Sequence, residues 1–117
     1  DVTKVFGPGP AGLWMTLALG VLLGPLVEEV VLRAVVLTSL EEQHGTLVAL
    51  VGSSVLFGAL HFNIWQMIPF TLIGLGLGIV FVRRRSLWPA FALHALYNAT
   101  SVAIAYGAPW LTKTYGG

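Results

Sequence analysis

Apolar residues run along this chain in long blocks, broken by charge at only a few points. Asp, Glu, Lys and Arg are absent from Val5 to Val27, from Gln43 to Val82 and from Ser86 to Thr112. These stretches are about 23, 40 and 27 residues long, against about 20 needed to cross the hydrocarbon as a helix. The middle stretch has room for two crossings with a turn at His61-Phe62-Asn63-Ile64-Trp65. The first continues past Glu28, Glu29 and Arg33 to Leu40 as a pattern rich in Val and Leu. The pattern predicts four helices, over about 11–40, 46–62, 66–84 and 87–106. The expected fold is all-α, a polytopic membrane protein with about four transmembrane helices, in a single membrane-embedded domain over 1–117.

Proline and glycine punctuate these segments. Gly24-Pro25 sits inside the first helix, where proline removes an intrahelical hydrogen bond and clashes with the preceding turn, so a kink or break is expected there. Pro89 falls near the start of the fourth helix and Pro69 in the first turn of the third, where a missing N–H costs little. Gly107 and Pro109 are expected to end the fourth. Trp14, Trp65, Trp88 and Trp110 lie near predicted helix ends, as in an interfacial aromatic belt.

Composition supports lipid as the solvent. Of 117 residues 56% are hydrophobic and only 9% charged, too few charges for an ordinary soluble domain or a disordered tail. A formal net charge of +1 gives no reason to invoke nucleic acid. Without cysteine there is no disulfide framework, thiolate zinc site or thiol nucleophile. Arg83-Arg84-Arg85 is the single basic cluster, and the positive-inside rule places that loop in the cytoplasm together with Glu41-Glu42-Gln43-His44. The setting expected is a bacterial inner membrane or an organelle membrane. The sequence opens on Asp1 with no basic region before the first apolar run, so a mature form, an excerpt or the ordered part of a longer protein is expected.

Against this background the polar residues inside the helices stand out. Glu28, Glu29 and Arg33 lie seven to twelve residues from the end of an apolar helix, where each ionisable group costs roughly 2.5–3.5 kcal/mol on insertion scales. Such groups face a bundle interior or a wet cavity, and serve either function or a structural ion pair. At about 100° per residue, Glu29 and Arg33 are one turn apart and can pair directly, whereas Glu28 lies roughly 140° from Arg33. That geometry selects Glu28 as the candidate general base, since a carboxylate in an apolar cavity is poised to take a proton. His61 closes the second apolar run, with Phe57 one turn before it, and His94 in the fourth helix has Asn98 one turn after it. A lone membrane histidine is usually a packing residue. Two of them with an asparagine and Glu28 suggest a common site.

These residues form three blocks, Glu28-Glu29-Val30-Val31-Leu32-Arg33 (EExxxR), Phe57-Gly58-Ala59-Leu60-His61 (FxxxH) and His94-Ala95-Leu96-Tyr97-Asn98 (HxxxN). In that order, each on its own hydrophobic helix, they resemble the CAAX protease and bacteriocin-processing (CPBP, or Abi) family of intramembrane proteases related to the CAAX prenyl endopeptidase. The resemblance covers about Gly24 to Asn98. It implies a helical membrane fold with a cavity open to membrane or cytosol, and a water activated by Glu28 that attacks a peptide bond. Glu29 and Arg33 would hold that carboxylate in place, while His61, His94 and Asn98 would position the water and stabilise the oxyanion. The substrate implied is a membrane-associated peptide or lipid-modified protein. The resemblance leaves a zinc requirement open; without an HExxH pattern a cofactor-free glutamate mechanism is expected, with zinc the alternative, for which Glu28, His61 and His94 could supply ligands. Leu32 and Ala34 stand where the family often has an aromatic residue and a glycine. Relatives usually carry further helices around this core.

A second reading keeps the same residues as a buried polar clamp in a non-catalytic CPBP-like subunit of a larger membrane complex. It requires Glu28 to be buried in hydrogen bonds or against a partner chain, whereas an enzyme needs a water-reachable cavity at Glu28. Gly74-Leu75-Gly76-Leu77-Gly78 has the look of a nucleotide loop, but neither a strand nor an acidic residue accompanies it. With Ser54 and Gly58 it suits close helix packing. Haem ligation by His61 and His94 would leave Glu28 and Glu29 unexplained.

Overall fold

The computed structural model describes the backbone of residues 2–7 and 9–115 and the side chains of residues 4–7 and 9–108. Among these the chain is helical throughout, joined by short turns. A short α1 (Val2–Phe6) precedes the long α2 (Pro10–His44), which begins with proline in its first turn after an extended Gly9. Gly45 ends α2 at φ 88°, a backbone open to glycine, and its N–H bonds back to the Glu41 carbonyl. Next come α3 (Thr46–Ala59), α4 (Ile64–Arg84) and α5 (Leu87–Tyr115). Asn63 caps α4 by accepting from the Trp65 N–H at 2.9 Å.

Three punctuation marks act differently from their expected roles. At Gly24-Pro25 α2 does not break. The helix widens to π winding over Thr16–Leu23 and again over Val30–Leu37, with six α-helical residues between. The Gly24 N–H reaches the Leu19 carbonyl, five residues back, so the wider turn absorbs the proline without interrupting the helix. Pro69 lies inside α4 rather than in its first turn, because the Asn63 cap starts the helix at Ile64. The fourth helix passes Gly107 and runs to Tyr115.

Among the described residues two helices, Pro10–His44 and Ile64–Arg84, are long and apolar enough to cross a membrane. Only 28% and 17% of their most apolar windows are buried, so most of that surface faces outward, as lipid-facing helices require and core helices of soluble proteins do not. α3, with 14 residues, rises about 21 Å, less than the hydrocarbon thickness of about 30 Å. Trp14, Trp65 and Trp88 are all exposed, while the Trp110 side chain lies outside the described residues.

Contacts gather into two compact units, residues 1–26 with 94–117 and residues 27–93. In the second, α3 and α4 pack as a helical hairpin against the C-terminal half of α2, with Leu32, Leu37, Ala49, Phe57 and Leu77 buried. The polar ends of this unit are tied together. Arg85 donates to both carboxylate oxygens of Glu41, Nη2–Oε2 being 3.3 Å, and Thr46 donates to Glu41 Oε2 at 2.9 Å. The end of α2 and the Arg83–Arg85 turn are therefore on one side of the unit, as their charges predict.

Candidate functional site

The π-wound half of α2 carries the EExxxR block. Glu29 and Arg33 are completely buried, and Arg33 Nε stands 3.3 Å from Glu29 Oε2. This is the one-turn ion pair that the spacing predicts, a charge contact whose angles fall short of a hydrogen bond. The guanidinium has two further supports. Nη2 donates to the Gly74 carbonyl of α4 at 3.0 Å, and the Phe57 ring of α3 lies 5.6 Å below the guanidinium carbon. One arginine thereby ties α2, α3 and α4 together. Glu28, adjacent in sequence, is exposed and within electrostatic range of Arg33.

Gly74 is what lets α4 come this close. A Cβ there would stand 2.9 Å from Phe57 Cδ1 and 3.1 Å from Phe57 Cβ, so any other residue would push the helices apart and draw the carbonyl away from Arg33. The Gly74–Gly78 segment is thus a packing surface, with both end glycines buried.

His61 follows the end of α3. Its Nδ1 is 2.9 Å from the Phe57 carbonyl, which can only accept, so Nδ1 carries the proton and, in the neutral ring, Nε2 keeps its lone pair. The half-buried ring stacks on Phe70 at 3.7 Å and meets Phe57 edge-on at 5.3 Å. Phe70 and the Gly74 carbonyl are the members of this cluster that sequence reasoning missed. Their spacing of one turn on α4 was the available signal.

His94 and Asn98 belong to the other unit. His94 is buried. Asn98 Nδ2 donates to the Gly20 carbonyl at 2.8 Å. In the π register that carbonyl would serve the N–H of residue 25, which is proline and has none, so Asn98 supplies the missing donor. Nearby in this unit the Thr16 hydroxyl donates to Gly12, and the Tyr106 hydroxyl donates to Gly7.

Within the 27–93 unit, then, the structure brings together Glu29, Arg33, Phe57 and His61. An apolar pocket of about 190 Å³ beside them is lined by Val55, Met67, Ile68, Thr71 and Leu72, and none of the candidate residues lines it. Among the described residues no three His, Asp or Glu side chains gather as a metal site.

A helical chain with outward-facing apolar helices and a fully buried acid–arginine pair belongs to the class of membrane-embedded proteins with ionisable interiors. More particularly, this chain belongs to the Rce1-like family: the family described as "Type II CAAX prenyl endopeptidase Rce1-like" matches residues 10–100. It is similar to "Putative membrane peptidase YdiL" of Bacillus subtilis (strain 168), with 26% identity over 77 residues, 66% of this chain and 32% of that protein. The match spans about a third of the relative's length. No solved structure matches the chain.

Proposed function

We propose that this chain is the core of an integral-membrane endopeptidase, with four membrane-embedded helices, that hydrolyses a peptide bond of a membrane-associated peptide or lipidated protein. The observation that carries the reading is the division between two adjacent carboxylates. Glu29 is buried against Arg33, whereas Glu28 is exposed. One acid is thus committed to structure, and its neighbour is left at the protein surface. A clamp within this chain would bury Glu28 as well, so its exposure leaves the clamp reading only burial against a partner chain.

In the mechanism, the Glu28 carboxylate takes a proton from water as the oxygen attacks the scissile carbonyl carbon. The resulting tetrahedral oxyanion collapses by breaking the C–N bond, and the proton held on Glu28 passes to the leaving amine. Neutral His61, with its lone pair on Nε2, suits the task of accepting a hydrogen bond from the attacking water and fixing its orientation. His94 and Asn98 keep the roles the family resemblance gives them only if their variants lose activity without losing structure. Asn98 already has the Gly20 carbonyl as a partner.

The test is cleavage of prenylated and unmodified peptides by the purified chain in nanodiscs. Glu28→Gln should lower kcat by about 10²–10⁴. As an exposed substitution it should shift unfolding by no more than about 0.5 kcal/mol. Full activity in Glu28→Gln would refute the assignment of the base.

A further inference from the structure

Two rings, Phe57 of α3 and Phe70 of α4, converge on His61 in the turn between the helices. The imidazole and Phe70 lie face to face, centroids 3.7 Å and planes 10° apart. Phe57 meets the imidazole edge-on, and Phe57 and Phe70 meet edge to face at 6.2 Å. His61 sits in the turn between the helices, next to Phe62 with its left-handed φ of 51°. Its hydrogen bond to Phe57 is a single point of attachment, about which the ring plane can still swing. The flat face of Phe70 removes that freedom.

We propose that Phe70 is a positioning residue for His61, an inference that rests on the protease reading above. By fixing the imidazole plane it keeps the Nδ1 proton on the Phe57 carbonyl, and so keeps the Nε2 lone pair available in one direction. Phe70 is held in turn by the same helix that accepts Arg33 at Gly74, one turn further on. The buried ion pair, the Phe57 ring and the Phe70 face thereby form one continuous packing path from Glu29 to His61. Leucine at position 70 would occupy similar space without offering a flat face, and tyrosine would preserve the face.

The experiment uses the full chain in nanodiscs with nitrogen-labelled histidine, His61 being assigned by the signal lost in His61→Gln. Neutral wild-type His61 should show one tautomer, with the proton on Nδ1. Phe70→Leu should populate both tautomers and lower kcat by up to about tenfold, the rate equivalent of one aromatic contact, with KM unchanged. Phe70→Tyr should restore both readouts, which a merely structural role would not require. Wild-type nitrogen shifts in Phe70→Leu, or mixed tautomers with wild-type kcat, would overturn the role given to Phe70. A wild type that cleaves no peptide overturns instead the protease reading on which it rests.

Discussion

Asn98 offers the most direct way to separate architecture from chemistry. Its Nδ2 donates to the Gly20 carbonyl at 2.8 Å, and that carbonyl has lost its helical partner because residue 25 is proline. In membrane helices a side-chain hydrogen bond contributes about 0.6 kcal/mol on average and about 1.7 at most. Gly20 belongs near the upper end, since no backbone N–H can take the place of the amide, and we expect Asn98→Ala to cost about 1.5 kcal/mol, or roughly tenfold in the unfolding equilibrium. Pro25→Ala restores the N–H. In that background the Gly20 carbonyl finds a backbone donor in the π register, and the cost of Asn98→Ala should fall below about 0.5 kcal/mol. The coupling of about 1 kcal/mol is measurable by reversible unfolding of the four proteins in mixed micelles. Equal costs in the two backgrounds would refute the argument that Asn98 replaces the donor that proline lacks.

Other expectations follow from the same geometry. Glu29→Gln and Arg33→Met should each destabilise the protein by about 3–5 kcal/mol, with Glu29→Gln at the lower end because Arg33 retains Gly74 and Phe57, while the double variant recovers at least about 2 kcal/mol of the sum. Additive losses in the same unfolding assay would show that the ion pair carries no coupling. Gly74→Ala gains up to about 1 kcal/mol of helix propensity but drives a methyl group to within 2.9 Å of Phe57, so a net loss of about 1–2 kcal/mol is expected, and a stabilised variant would contradict the packing described. Peptide cleavage should persist after treatment with a zinc chelator. Activity lost to the chelator and regained with zinc would replace the glutamate mechanism with a metal-dependent one.

Much of this protein is legible from its sequence, because helices and their close pairs are local objects. Charge-free blocks placed the long helices to within a few residues except at the end of α5, which runs to Tyr115 rather than to about 106, and the four-residue spacing of Glu29 and Arg33 predicted their contact, since that contact depends on little more than one helical turn. Even the shared side of Glu41 and Arg85 follows from counting charges and crossings. What spacing cannot reveal is which face of a helix another helix will cover. Glu28 and Glu29 differ by one position and about 100° of rotation, yet one is exposed and the other fully buried, an outcome decided by where α3 and α4 dock. Pro25 reads locally as a helix breaker. The helix survives by widening, and a donor 78 residues away in sequence satisfies its orphaned carbonyl. The Phe70 stack and the Gly74 acceptor likewise exist only once α4 lies against α3 and α2. Sequence by itself determined the helices and the polar residues they carry. Tertiary packing alone decided which groups became structure and which stayed accessible, because burial and hydrogen-bond satisfaction are properties of neighbouring helices rather than of any single one.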